Sequence, residues 1–267
     1  MLFAERIAPL RGTVEPKLRR VARNLSLGGV SLAIMTLLQA PLLRPVASWI
    51  VRERIGLLQA VHWPRWIEMI VAIVLLDYTL WWWHWANHRV PFFWRFHLVH
   101  HIDRDLDTST ALRFHVGELA LSIPVRAAQM VIIGVDPHAL WLWQTILFGS
   151  ILFQHANVRL PLRVERLLVC LIVTPRMHGI HHSDRLNESN SNWSNLLSCW
   201  DYLHRTILLN VAQPEITIGI PAYSDPSDVT IGKMLVLPFI RQRSDFHLND
   251  GTLAIREHEP GNKSLVS

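Results

Sequence analysis

Apolar residues in this chain fall in long blocks rather than in the short stripes of a soluble fold. A helix crossing the hydrocarbon core of a bilayer needs about 20 mostly apolar residues. Four blocks approach or exceed that length, over 25–51, 67–85, 116–135 and 137–154. Pro41, Arg44 and Pro45 fall in the second half of the first block and predict a break there. Asp136-Pro137 separates the last two blocks by a very tight turn, which predicts a helical hairpin. A fifth apolar stretch, 163–174, is short and closed by Pro175, so it predicts a helix lying at the interface. From Ile207 onward the chain turns to prolines, β-branched residues and a polar end. The expectation is an all-α membrane protein with about four transmembrane helices and a cytoplasmic, histidine-rich helical cap. It divides into a basic N-terminus (1–24), a membrane and histidine-bearing region (25–206) and a C-terminal segment (207–267) that is disordered at its end.

Charge refines this picture. The formal net charge is +5, and Lys and Arg cluster beside the apolar blocks. No separate basic domain is available for nucleic acid, so the partner of that charge is the anionic cytoplasmic leaflet. Basic residues near helix ends mark the cytoplasmic side. On that rule the N-terminus, the 89–113 region and everything after 155 share one face, while the turn at Asp136 lies on the other. Arg44, Arg52, Arg54 and Arg65 disagree, and leave open a re-entrant or tilted hairpin over 25–65. No signal peptide is expected, because Arg6, Arg11, Lys17, Arg19, Arg20 and Arg23 precede any apolar core. Cys170 and Cys199, the two cysteines, exclude a disulfide framework and a cysteine-based metal site.

The chemistry lies in three runs: His84-Trp-Ala-Asn-His88, His97-Leu-Val-His100-His101 and His178-Gly-Ile-His181-His182. They hold eight of the fifteen histidines. Spacings of three and four residues put imidazoles on one helix face, and the charge rule places all three runs at the same membrane surface. Imidazole suits iron, zinc, copper or nickel. Eight rings exceed one tetrahedral site and suffice for two metals with three or four nitrogens each. His155 ends the last apolar block on the same side and is a ninth candidate. His115 reads equally as an outer-sphere hydrogen bonder or a fold-stabilising one. Asp77, two turns before His84, either orients a ligand and shapes the cavity mouth or bonds a neighbouring helix. Arg126 either pairs with Glu68 or snorkels. The tryptophans of Trp81-Trp82-Trp83 and Trp85 read as an interfacial belt. A metal site at the bilayer edge implies an amphiphilic or apolar substrate.

These motifs resemble those of the fatty acid hydroxylase / sterol desaturase superfamily of integral membrane di-iron oxygenases. The resemblance runs from about Asp77 to Phe239. Beyond the three runs it is carried by Arg113-Phe-His115, Phe153-Gln-His155-Ala-Asn157, Thr174-Pro-Arg-Met-His178 with Ser183, Asn195-Leu-Leu-Ser-Cys-Trp200-Asp201 and Ile218-Gly-Ile-Pro221. Three departures stand out: Asn192-Trp193-Ser194 where many members read Asn-Tyr-Gly, Asp201-Tyr-Leu-His204-Arg-Thr206 where they read Asp-x-Leu-Phe-Gly-Thr, and Val116 where proline is common. None removes a candidate ligand.

The resemblance implies two iron ions, with zinc as an occupant on purification, held by His84, His88, His97, His100, His101, His155, His178, His181 and His182. Asp77, His115, Asn157 and Asp201 are the candidates for the surrounding shell. It implies an O2-dependent oxidoreductase of lipid metabolism that hydroxylates or desaturates a C–H bond of a fatty acyl, sterol-like or related membrane lipid. Ether-lipid cleavage of the alkylglycerol type is the alternative within the same chemistry, and a non-catalytic membrane metal-binding protein is the alternative outside it. The sequence carries no dinucleotide fingerprint, haem attachment motif or iron–sulfur cysteine set. An external electron donor is therefore expected, a ferredoxin or b-type cytochrome with its reductase. The expected location is a multi-pass position in a bacterial inner membrane with the site on the cytoplasmic face.

Overall fold

The computed structural model describes residues 3–248 and 250–257. Eleven α-helices follow one another among these residues: α1 (Ala4–Ile7), α2 (Lys17–Glu53), α3 (Arg65–Arg89), α4 (Pro91–His101), α5 (Val116–Ile133), α6 (Pro137–His155), α7 (Leu162–Leu168), α8 (Pro175–His181), α9 (Leu186–Ser189), α10 (Cys199–His204) and α11 (Ile231–Val236). The described residues form no strand, only isolated bridges such as Ser183 with Ile218. The chain is an all-helical membrane protein.

Three helices are long and apolar enough to cross a membrane: residues 17–39 of α2, all of α3 and all of α5. The sequence led us to expect about four. The difference is α6, whose 19 residues include Gln144, Gln154 and two tryptophans that dilute its aliphatic content. It still packs along α3, and Asp136 caps its start by accepting the His138 amide. The tight turn thus forms the expected hairpin.

The expected break in α2 does not occur. The helix runs unbroken for 37 residues through Pro41 and Pro45. Each proline removes one hydrogen bond and pushes on the preceding turn. The two lie one turn apart on the exposed face, while Leu43, Ala47 and Ile50 keep the opposite face buried. Packing therefore continues on the side the prolines do not touch. Nor does α2 turn back. Near its start, Gly28 leaves only enough room for Leu112, whose carbonyl would sit 2.7 Å from an added Cβ. At its far end, Gly56 meets Gly134 just after α5, both at positive φ (100° and 80°), and a Cβ on Gly56 would fall 2.3 Å from the Gly134 nitrogen. Residues 54–64 therefore lie at the end of the bundle opposite the histidines, and the re-entrant alternative is set aside.

Two cores result. One, between α2, α3, α5 and α6, is built from residues such as Ile50, Leu76, Met130 and Trp143. The other joins the α2 start and α4 to the C-terminal segment through Leu27, Leu98, Ile102, Tyr223 and Met234. Outside them, Leu32, Leu37, Ile70, Ile132 and Trp141 are each more than half exposed. Such a belt is expected where hydrocarbon rather than water covers the helix. On α7, Leu167 and neighbouring Leu171 are likewise 73% and 66% exposed, which fits a helix lying at an interface. Residues 207–248 and 250–257 pack onto this frame through backbone bonds such as Leu186 to Ala254. The end expected to be disordered lies outside the described residues from 258 onward.

The basic start of α2 has an inward role that its charge pattern did not reveal. Arg20 is fully buried and pairs with Asp103 at 3.2 Å and with Asp107. Arg113, also buried, lies 3.5 Å from the other Asp103 oxygen and donates to the Val99 carbonyl. This ion cluster ties α2 to the loop that leaves α4 just after His101.

Candidate metal centre

Four helices deliver the histidines. α3 places His84 and His88 one turn apart at its last turns, α4 carries His97, His100 and His101, α6 ends on His155, and α8 carries His178 and His181 with His182 as its C-cap. Their rings fall into two groups, within each of which the candidate ligand atoms lie within 4.8 Å of one another. The first is His84, His88, His97, His101 and His181; the second is His100, His155, His178 and His182. All nine residues expected from the sequence are thus brought together, as five and four rather than three or four each. Helical geometry explains the division. In α4 the i, i+4 pair His97 and His101 faces the first group while His100 turns to the second. In α8 the pair His178 and His182 faces the second while His181 turns to the first. The groups abut, with the His101 and His182 rings stacked 4.3 Å apart.

Hydrogen bonds to outer partners fix which nitrogen faces inward. His84 Nδ1 lies 2.8 Å from the Trp193 carbonyl, His181 Nδ1 2.8 Å from the Ser191 carbonyl, and His155 Nδ1 2.8 Å from the Ile151 carbonyl. His97 Nδ1 lies 2.9 Å from a Glu118 carboxylate oxygen. Carbonyl and carboxylate oxygens only accept, so each Nδ1 carries the proton and each Nε2 keeps its lone pair. In the second group those inner atoms crowd together: Nε2 of His155 is 3.1 Å from that of His100 and 3.0 Å from that of His178, which is 3.1 Å from that of His182. In the first, Nε2 of His88, His97 and His181 is buried without a protein partner. Convergent lone pairs in a dry pocket repel unless a cation sits among them, and outer carbonyl or carboxylate bonds are how proteins orient metal-binding imidazoles. Burial, reinforced by the neighbouring rings, pushes His100, His101, His178 and His182 far below the ordinary histidine range. Burial also pushes His181 down to about 3. Neutral rings are the form that binds metal. The residues present therefore fit two metal ions held by nitrogen.

The four residues expected in the surrounding shell take different places. Asp201 is fully buried and accepts from Trp81 Nε1, the Trp193 and Ser194 amides and Thr206 Oγ1. It acts on His84 through the loop whose Trp193 carbonyl holds that ring. Asp77 hydrogen-bonds to none of the nine clustered histidines; it accepts from the Leu197 amide at 3.0 Å and Trp200 Nε1 at 2.7 Å, and so pins the following loop to α3. Asn157 clasps the backbone of Arg11 through both its side-chain atoms. His115 caps α5 by accepting the Gly117 amide, with its ring against Phe96 and Phe239. Trp81 also departs from a simple belt: it is buried and stacks on His204 with centroids 4.0 Å apart.

Sequence reasoning passed over Glu118, because a carboxylate in the first turn of a helix reads as a partner of the helix dipole. It also passed over the carbonyls of Ser191 and Trp193, which no side-chain pattern can reveal. Asn192, which shares its position with the family's Asn-Tyr-Gly, adopts φ of 55° and anchors that loop to the Met177 and Leu208 carbonyls.

A cavity of about 170 Å³ leads to both groups. His84 and His97 line it from the first, and His100, His155 and His178 from the second. Its remaining wall includes Leu80, Trp83, Leu119, Leu147 and Ile151, with Glu118, Ser122 and Arg126 on α5. A larger cleft of about 680 Å³ lies between the N-terminal segment and residues 213–224, but no histidine of either group lines it. The smaller cavity, walled largely by α3, α5 and α6, is the one joined to the chemistry.

Comparison with known proteins identifies the family. The chain is 31% identical over 161 residues to the ornithine lipid hydroxylase OlsE of Rhizobium tropici, covering 60% of this chain and 47% of that protein. It is 27% identical over 137 residues to the alkylglycerol monooxygenase of Homo sapiens, covering 51% of this chain and 29% of the relative. The chain thus spans less than half the length of these relatives. No solved structure matches it. The fatty acid hydroxylase family model matches residues 69–206, just over half of the chain and every one of the nine clustered histidines, and the protein belongs to that family.

Proposed function

We propose that this protein is an O2-dependent oxidoreductase that hydroxylates or desaturates a C–H bond of a membrane lipid, using two iron ions held by the nine histidines. The observation that carries this reading is the pair of abutting imidazole groups at the end of an apolar cavity between membrane helices. The similarity to a lipid hydroxylase supports it. When bound, an iron pair supplies activation of O2 and removal of hydrogen from an unactivated carbon. The protein's own part is positional. The Nδ1 bonds fix the imidazole planes of His84, His97, His155 and His181, and the aliphatic wall excludes water and aligns a chain with the two groups. Hydroxylation consumes O2, two electrons and two protons and yields the alcohol and water. We assign the electrons to an external ferredoxin or b-type cytochrome with its reductase. We place the histidine end on the cytoplasmic side of the inner membrane, from the Lys and Arg distribution.

The test is lipid profiling of cells with and without the active chain, with His181→Ala as control and metal analysis of both purified proteins. The expected result is about two metal ions per chain in the wild type, an oxidised lipid that disappears in the variant, and metal loss from the variant. Product formation by His181→Ala, or a wild type with less than about one metal ion per chain, overturns the proposal.

A second reading is cleavage of an ether lipid, which the similarity to alkylglycerol monooxygenase favours. Hydroxylation beside an ether oxygen collapses to an aldehyde and an alcohol. Detection of the aldehyde, rather than of a lipid gaining one oxygen, selects this reading.

A further inference from the structure

Glu118, Ser122 and Arg126 lie at i, i+4 and i+8 on one face of α5, and all three line the cavity that reaches the histidines. Glu118 is at the histidine end. Arg126 lies eight residues further into the membrane span, about 12 Å along the helix axis at the usual rise. Its sequence offered two destinations, a pair with Glu68 or a snorkel to the interface, and the structure shows neither. Glu68 accepts from Gln59 Nε2 instead. The Arg126 guanidinium folds over the Trp143 ring, 4.3 Å from its centroid, and Nη1 donates to Gln129 Oε1 at 2.8 Å. Gln129 is itself held by donating to Thr79 Oγ1. Among the described residues no carboxylate lies within ion-pair distance of Arg126.

A charge within a membrane span is costly and normally pairs with an opposite charge. Here the cation is pinned by neutral groups, lines the cavity, and keeps most of its five N–H donors uncommitted. Its planar fork matches a carboxylate or phosphate bearing one negative charge. We propose that Arg126 binds a monoanionic group, carboxylate or phosphodiester, of the amphiphile that enters this cavity, and so selects an anionic lipid. The carbon presented to the histidines then lies along the lipid chain from that anion, toward the Glu118 end of α5. A neutral alcohol or ether of the same chain lacks the anchor. The inference rests on the reading of this cavity as the substrate site.

The test uses the metal-loaded protein in nanodiscs and titrates three probes against intrinsic tryptophan fluorescence: hexadecanoate, hexadecan-1-ol and a single-chain lysophosphatidylglycerol. The wild type is expected to bind at least one of the two anions roughly tenfold or more tighter than the alcohol, and the better one names the anion. Arg126→Gln should erase that preference while leaving the alcohol affinity within about twofold, and Arg126→Lys should recover part of it because the charge returns without the fork. Equal affinity of the wild type for all three probes overturns the assignment without recourse to any variant. So does an equal loss of all three in Arg126→Gln. Binding needs no turnover. An anion preference that depends on Arg126, found in a protein that forms no oxidised lipid, would overturn the catalytic reading and leave this one standing.

Discussion

Glu118 offers the sharpest test of how the metal centre is held. Its Oε1 accepts from His97 Nδ1 at 2.9 Å, with both side chains more than nine-tenths buried. Removing the carboxylate in Glu118→Ala leaves that N–H facing a dry wall, frees the ring to turn, and takes away the negative charge that makes Nε2 a better donor. Outer partners of this kind are worth about 10- to 100-fold in metal affinity, or about 1.4 to 2.8 kcal/mol. A hydrogen bond to a charged group, at about 1.5–3 kcal/mol, leads to the same range. Glu118→Gln keeps an acceptor for the N–H and loses only the charge, so its effect should fall below that of the alanine variant. His97 belongs to the five-histidine group alone. Dialysis against graded chelator, followed by metal analysis, should therefore show Glu118→Ala falling from about two ions to one at a chelator strength that leaves the wild type loaded. A chelator profile identical to wild type, or simultaneous loss of both ions, would refute the division into two separately supported groups.

Two further variants probe the frame. Asp201→Ala removes four hydrogen-bond acceptances from a fully buried carboxylate and releases the loop holding His84. It should cost about 3–5 kcal/mol, read as a large drop in melting temperature, and a shift under about 1 kcal/mol would contradict the role given to Asp201. Arg20→Met strands Asp107 without its buried partner, leaves Asp103 to Arg113 and Arg23, and should cost about the same. Adding Asp107→Asn should restore part of the loss, and a double variant no better than the single one would show that the ion cluster is not the cause.

The helical class is legible in the apolar blocks alone, because runs of about 20 apolar residues have few other stable forms in a bilayer. The histidine set is legible too: spacings of three and four residues fix a helix face, whatever the helix packs against. What the sequence could not determine was anything that depends on which face meets which neighbour. Pro41 and Pro45 looked like a break because their effect is local, whereas the buried stripe through Leu43, Ala47 and Ile50 that carries α2 past them is a tertiary fact. The basic residues of 17–23 read as a surface charge, yet Arg20 is neutralised by carboxylates more than 80 residues away. Asp77 and Asp201 looked alike as candidates near the histidines, and only the loop between Asn192 and Trp200 separates their roles. The nine histidines were legible as a set, but their division into five and four was not. That division depends on how α4 and α8 are rotated against α3 and α6, and rotation is set by packing across the whole bundle rather than by any residue in the motifs.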